Sequence, residues 1–382
     1  MSLTELIDES AVIVCSGSGG VGKTTIAAVI AIEAAKRGRR SVVVTIDPAR
    51  RLADALGLDN LTNEPQVVAI PGSQASFSAL MLDTAATFDE LVHRYSVDSA
   101  QAEKILANRF YRNVTGALSG TQEYMAAEKL FALHHDERFD LVVVDTPPTR
   151  NALDFLDAPG RLTRFLDHRI YRALTTPTRL GLKIANVAAQ TVLKTIGRIV
   201  GGDVIADVIA FFQAFEGMEG GFKQRATEVI ELLHSDTTHF VLVASPRSDT
   251  ITEACFFADR LNEQGLRVSG IVINRLYPLF ADTSGAAEAP HTSDSPTTTS
   301  SEAVGRARGA SKRTTDASEQ ALRDNLSELR GVAVEERAVL APLLAAAPIA
   351  SLAEIPLLDH DIHDLEGLGI IGGHLLVDVT RV

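Results

Sequence analysis

The stretch Gly17-Ser18-Gly19-Gly20-Val21-Gly22-Lys23-Thr24 decides how this chain is read. It satisfies the spacing GxxxxGK[ST] and is followed by Thr25. Before it, residues 11–15 form a short continuous apolar run, which predicts a buried strand. After it, residues 24–36 carry apolar side chains at helical spacing, with Gly38 as a stop. Glycines in such a turn let backbone N–H groups face inward around phosphate oxygens that larger side chains would block. The start of the next helix adds partial positive charge. Lys23 would then reach the β- and γ-phosphates of a nucleotide, and the Thr24 hydroxyl would face Mg²⁺.

Working outward, residues 41–46, 141–144, 240–243 and 268–273 are further buried-strand runs, and 77–82 is a weaker one. Between them lie amphipathic helical patterns. Such alternation predicts an α/β fold, with a mostly parallel P-loop-type sheet carrying helices on both faces, over one domain spanning 1–382. Two regions break the rhythm. Residues 97–135 and 160–234 read as helical, with long apolar stretches at 184–192 and 204–215, and are expected to form an inserted helical subdomain. Those apolar faces fit either core or a partner-binding surface, since both share one periodicity. Residues 282–315, rich in Ser, Thr and Ala, are expected to be disordered, and 318–329 to return to helix.

Two carboxylates close predicted strands. Asp145 ends the run 141–144, at the sheet edge where ligands of α/β proteins bind, and would hold Mg²⁺ or else cap the next turn. Asp47 opens Asp47-Pro48-Ala49-Arg50-Arg51 and could orient water, help hold Mg²⁺ or cap a helix. Residues 146–151, Thr-Pro-Pro-Thr-Arg-Asn, have the stiffness of a loop that responds to the γ-phosphate.

Composition narrows the classes. The 382 residues are 46% hydrophobic, with 36 basic and 49 acidic side chains and a net charge of −13. That balance speaks against nucleic acid as a partner. No apolar run is long and charge-free enough to span a bilayer, and residues 1–10 have no basic residue of a secretory signal, so a cytoplasmic protein is expected. Cys15 and Cys255, the two cysteines, make no CxxC pair and no zinc spacing.

With these residues quoted, the chain resembles the arsenical-pump (ArsA-like) ATPases, a family that includes the targeting ATPases for tail-anchored membrane proteins. The resemblance runs through the phosphate loop, Asp47-Pro48-Ala49, residues 145–149 and 153–156, the strand ending in Asn274, and residues 354–358. It implies ATP and Mg²⁺ as ligands, Lys23, Asp47 and Asp145 as catalytic residues, and Thr24, Asp47 and Asp145 around the metal. Asn274 matches the residue that reads the adenine edge, with Pro356 and Leu357 near the base. It also implies a dimer that cycles between open and closed states to energise transport or deliver a client to a membrane partner, with 160–234 as the partner-facing surface.

Three departures accompany the likeness. Family members usually carry a second loop lysine where this chain has Ser18. They usually have Thr-Gly-His where this chain has Thr149-Arg150-Asn151, and their metalloid or zinc cysteines have no counterpart here. The missing lysine leaves two arrangements. Either a lysine-bearing paralogue completes a heterodimer, or Arg50, Arg51 or Arg150 supplies charge in a homodimer. A nucleotide-dependent switch with little turnover, and a positioning ATPase of the Min and Par kind, are the competing functions. An iron protein of the nitrogenase type would need cluster cysteines that are absent.

Overall fold

The computed structural model describes residues 2–114, 121–147, 154–168, 202–280 and 304–377. Its central strands are runs with no exposed position. β1 (Val12–Ser16), β2 (Ser41–Thr45) and β5 (Leu141–Asp145) are buried at every residue, as strands must be when both faces of a sheet are covered. They sit beside β3 (Gln66–Ala69), β4 (Ser76–Met81), β6 (Thr238–Ala244), β7 (Val268–Leu276) and β8 (Ser351–Pro356) in the order β3-β4-β2-β5-β1-β6-β7-β8. All neighbours are parallel except β3, which runs antiparallel to β4 at one edge. The expected mostly parallel α/β sheet is therefore present.

Successive strand side chains point to opposite faces, and this sorts the apolar runs into two cores. On one face Ile13, Cys15, Val43, Val143 and Val241 pack under α1 (Leu3–Glu9), α2 (Lys23–Lys36) and α3 (Arg51–Ala55). On the other, Val12, Val14, Val44, Val144 and Phe240 pack under α7 (Thr121–His134) and α8 (Asp154–Asp167).

A third cluster lies in a helical layer. It joins α4 (Thr84–Tyr95), α5 (Ser99–Leu106), α6 (Arg109–Val114), α7, α8, α9 (Gly202–Ala214) and α10 (Glu219–Leu233). Its centre is aromatic, with the Phe211 and Phe215 rings 4.9 Å apart and Phe215 stacked on Phe222 at 5.5 Å. The layer starts earlier than the expected 97–135 and 160–234, because Leu91 and Val92 of α4 belong to it. The apolar stretch 184–192 lies outside the described residues.

The chain closes with α11 (Ser248–Glu263), α12 (Val304–Val339), α13 (Ala341–Ala346) and α14 (Leu365–Leu375). α12 corrects two expectations. The helix extends well beyond 318–329 at both ends, and residues 304–315, expected to be disordered, lie within it. Residues 282–303 lie outside the described residues. β3 and β8 were not expected as strands. β3 is a short edge with only Val68 buried, and β8 interrupts its apolar pattern with Glu354 and ends on Pro356. Among the described residues no helix is long and apolar enough to cross a membrane.

Phe240 joins β6 to the second core at 1% exposure. Phe240→Ala is expected to cost about 3–5 kcal/mol. Urea denaturation should show this as a lower midpoint with an unchanged m-value.

Candidate functional site

The phosphate loop leaves β1 and enters α2 at the C-terminal edge of the sheet. Two close approaches fix its path. Gly17 has φ +155°, and a Cβ there would lie 2.1 Å from the carbonyl oxygen of Val243 in β6. Gly22 has φ +94°, and its Cβ would lie 2.3 Å from Asn274 Nδ2. A side chain at either position would collide with a neighbour, so glycine is required sterically as well as conformationally. Ser18 and Val21 are buried, whereas Gly19 and Gly20 stay exposed at the tip.

Lys23 is 5% exposed, and its Nζ donates to the Ser18 carbonyl at 2.7 Å. Burial depresses its pKa below the usual lysine range. Asp145 opposes that shift, and the charge of Arg51 adds to it. The next residue, Thr24, donates its hydroxyl to Asp145 Oδ2 at 2.8 Å. Thr45, at the end of β2, donates to the same oxygen at 2.9 Å. Asp145 Oδ1 is buried without a hydrogen-bond partner. Burial pushes the Asp145 carboxyl up to about 6, against the pull of Thr24, Thr45 and Lys23. Both contacts to Oδ2 come from side-chain hydroxyls, so the described contacts of this side chain include no capping bond.

Asp47 follows β2 and is 7% exposed. Its N–H donates to Thr45 Oγ1 at 3.3 Å, which ties it to the same network. Its Oδ1 accepts from Ala49 N at 3.0 Å, a local turn of the kind Asp favours. Its Oδ2 pairs with Arg51 Nη1 at 3.2 Å. Arg50 is exposed and stands as the N-cap of α3. Thr149, Arg150 and Asn151 lie outside the described residues.

The structure thus gathers Lys23, Thr24, Asp47 and Asp145, and adds Thr45, which sequence reading missed. A hydroxyl ending an apolar run beside Asp47 was its only signal. Thr25 is half-buried in the first turn of α2. Asn274 is 7% exposed and donates to the Val21 carbonyl at 2.9 Å, so one amide hydrogen holds the loop. Pro356 pairs with Leu276, and Leu357 N donates to the Leu276 carbonyl at 2.8 Å. Both therefore sit at the exits of β7 and β8, near Asn274. Cys15 is buried in β1, and Cys255 packs at the edge of the opposite core.

A carboxylate oxygen left alone beside a threonine hydroxyl and a lysine suits a hard divalent ion held between protein and phosphate oxygens. Without such an ion the buried charge opposes folding. Because its folded pKa is raised, Asp145 contributes stability below its unfolded pKa near 3.8 and loses it as pH rises through about 6. Asp145→Asn removes the charge and keeps an oxygen for both threonines. The variant should melt about 2 °C or more above the parent without nucleotide. Melting curves should show a larger gain at pH 7.5 than at pH 5.

Residues 10–289 match the family model described as anion-transporting ATPase. ATPase GET3 of Malassezia globosa is 29% identical over 281 residues, covering 72% of this chain and 77% of its own length. The arsenical pump-driving ATPase of Acidiphilium multivorum is 26% identical over 270 residues, 69% of this chain but 39% of its own. ATPase GET3B of Arabidopsis thaliana is 26% identical over 280 residues, 69% of this chain and 63% of its own. The family match takes in the phosphate loop, both strand-ending carboxylates and Asn274, and covers more than half of the 382 residues. The chain belongs to the anion-transporting ATPase family and is an ATPase.

Proposed function

We propose that the chain hydrolyses Mg²⁺-ATP as a dimer, and that the cycle energises transport or delivers a client to a membrane partner from the cytoplasmic side. The observation that carries this reading is the buried Asp145 carboxylate, which shares Oδ2 between Thr24 and Thr45 and leaves Oδ1 open. Thr24 and Asp145, with Asp47 close by, would hold the ion, which when bound offsets the charge on phosphate oxygens.

The rest of the work falls to the chain itself. Lys23 would exchange the Ser18 carbonyl for β- and γ-phosphate oxygens, while loop N–H groups receive the remaining ones. Asp47 would orient the attacking water, which requires Arg51 to release its Oδ2. Arg51 would then be free to face the phosphates. That makes it better placed than Arg50, the exposed N-cap of α3, to supply charge in a homodimer. Asn274, Pro356 and Leu357 would bound the adenine, and the helical layer would present the surface for a client.

A second reading, an ATP-dependent switch forming the non-lysine half of a heterodimer, is favoured by Ser18. It is buried and uncharged, and its Oγ has no hydrogen-bond partner.

ATP hydrolysis measured across a wide range of protein concentration separates the two readings. Specific activity that rises with concentration, vanishes on chelating Mg²⁺ and falls at least about 100-fold in Lys23→Ala supports the homodimeric enzyme. Tight ATP binding without turnover at any concentration supports the switch.

A further inference from the structure

Among the described residues, Arg275 is the one non-glycine residue with positive φ, at 62°. A left-handed backbone is unfavourable for an arginine and persists where its surroundings over-determine it. They do so here from both sides. The β7–β8 register shifts between Ile273 and Leu276. Beyond the kink, the Leu276 carbonyl accepts from Leu357 N at 2.8 Å. Tyr277 N donates to Glu336 Oε2 at 2.7 Å, and its carbonyl accepts from Arg337 Nη1 at 3.0 Å. Arg337 in turn pairs with Glu354 of β8 at 2.7 Å. Glu336 and Arg337 lie in α12, beyond the stretch that matches the family.

The kink has a consequence for the phosphate loop. In a regular strand, adjacent side chains point to opposite faces. With the backbone turned at Arg275, Asn274 and Arg275 both meet the phosphate loop. Asn274 Nδ2 donates to the Val21 carbonyl at 2.9 Å, and Arg275 Nη1 donates to the Gly20 carbonyl at 3.4 Å. Because the peptide unit is planar and trans, a C=O held toward one side sends the N–H of the same unit to the other. Fixing the carbonyls of Gly20 and Val21 therefore turns the N–H groups of Val21 and Gly22 away from the clamp.

We propose that Arg275 is a positioning residue for nucleotide binding, which with Asn274 sets the peptide orientation of the phosphate loop before nucleotide arrives. The apparent affinity of a loop that is competent only part of the time falls by that fraction, so a preset loop binds more tightly with no added contact to the ligand. α12 takes part through Glu336 and Arg337, which fix the kink.

Arg275→Gly tests this directly, since glycine accepts the left-handed backbone without strain and removes the side chain that carries the guanidinium. Titration of the full chain with a fluorescent ATP analogue should show Kd raised about fivefold, the net worth of one hydrogen bond. Amide hydrogen exchange in the nucleotide-free variant should be faster across residues 17–23, with the melting temperature equal to or above the parent's. An unchanged Kd would overturn the proposal. So would a raised Kd with unchanged exchange in the free loop, which would mean that Arg275 touches the nucleotide itself. A lowered melting temperature alongside lost affinity would assign Arg275 to general stability and also overturn it.

Discussion

A carboxylate sealed at the end of the central strand β5 organises this protein. Asp145 is fully buried, yet its two threonine bonds satisfy only one oxygen. A buried charge left in that state is costly. The Asp145 carboxylate therefore bears on stability. It does so at the junction of three elements, because Thr24 lies in the first turn of α2, Thr45 ends β2, and Asp145 ends β5.

The rest of the site is arranged around that junction by backbone packing. Gly17 lets the loop lie against the Val243 carbonyl, and Gly22 makes room for the Asn274 amide. Lys23 closes the loop on itself through the Ser18 carbonyl. The loop is thus built against β6 and β7, the next two strands on one side of β1. Preorganised donors of this kind spend little free energy on rearrangement when phosphate arrives.

The helical layer meets the site at a defined point. Gln122, in the first turn of α7, donates to the Ile46 carbonyl at 3.2 Å, one residue before Asp47. The same helix carries Glu128, buried at 2% exposure and paired with Arg225 of α10 at 3.1 Å. Arg225 also lies over the Phe131 ring at 4.1 Å. These contacts join the Asp47 loop to α7, and α7 to α10.

The sequence by itself determined the parts whose cause is local. A glycine-rich turn between an apolar run and an amphipathic helix marked the phosphate loop, and continuous apolar runs marked β1, β2 and β5. Asp47 and Asp145 were legible because each closes such a run. Tertiary structure decided the parts that need residues far apart in sequence. Thr45 meets Asp145 across 100 positions, and Asn274 meets Val21 across 253. The edge strands β3 and β8 depend on pairing rather than on their own patterns, and the helix over 304–315 was hidden by a composition that reads as disorder. The left-handed turn at Arg275 left no trace in its own residue type. It is imposed by Glu336, Arg337 and Leu357, contacts that no local periodicity encodes.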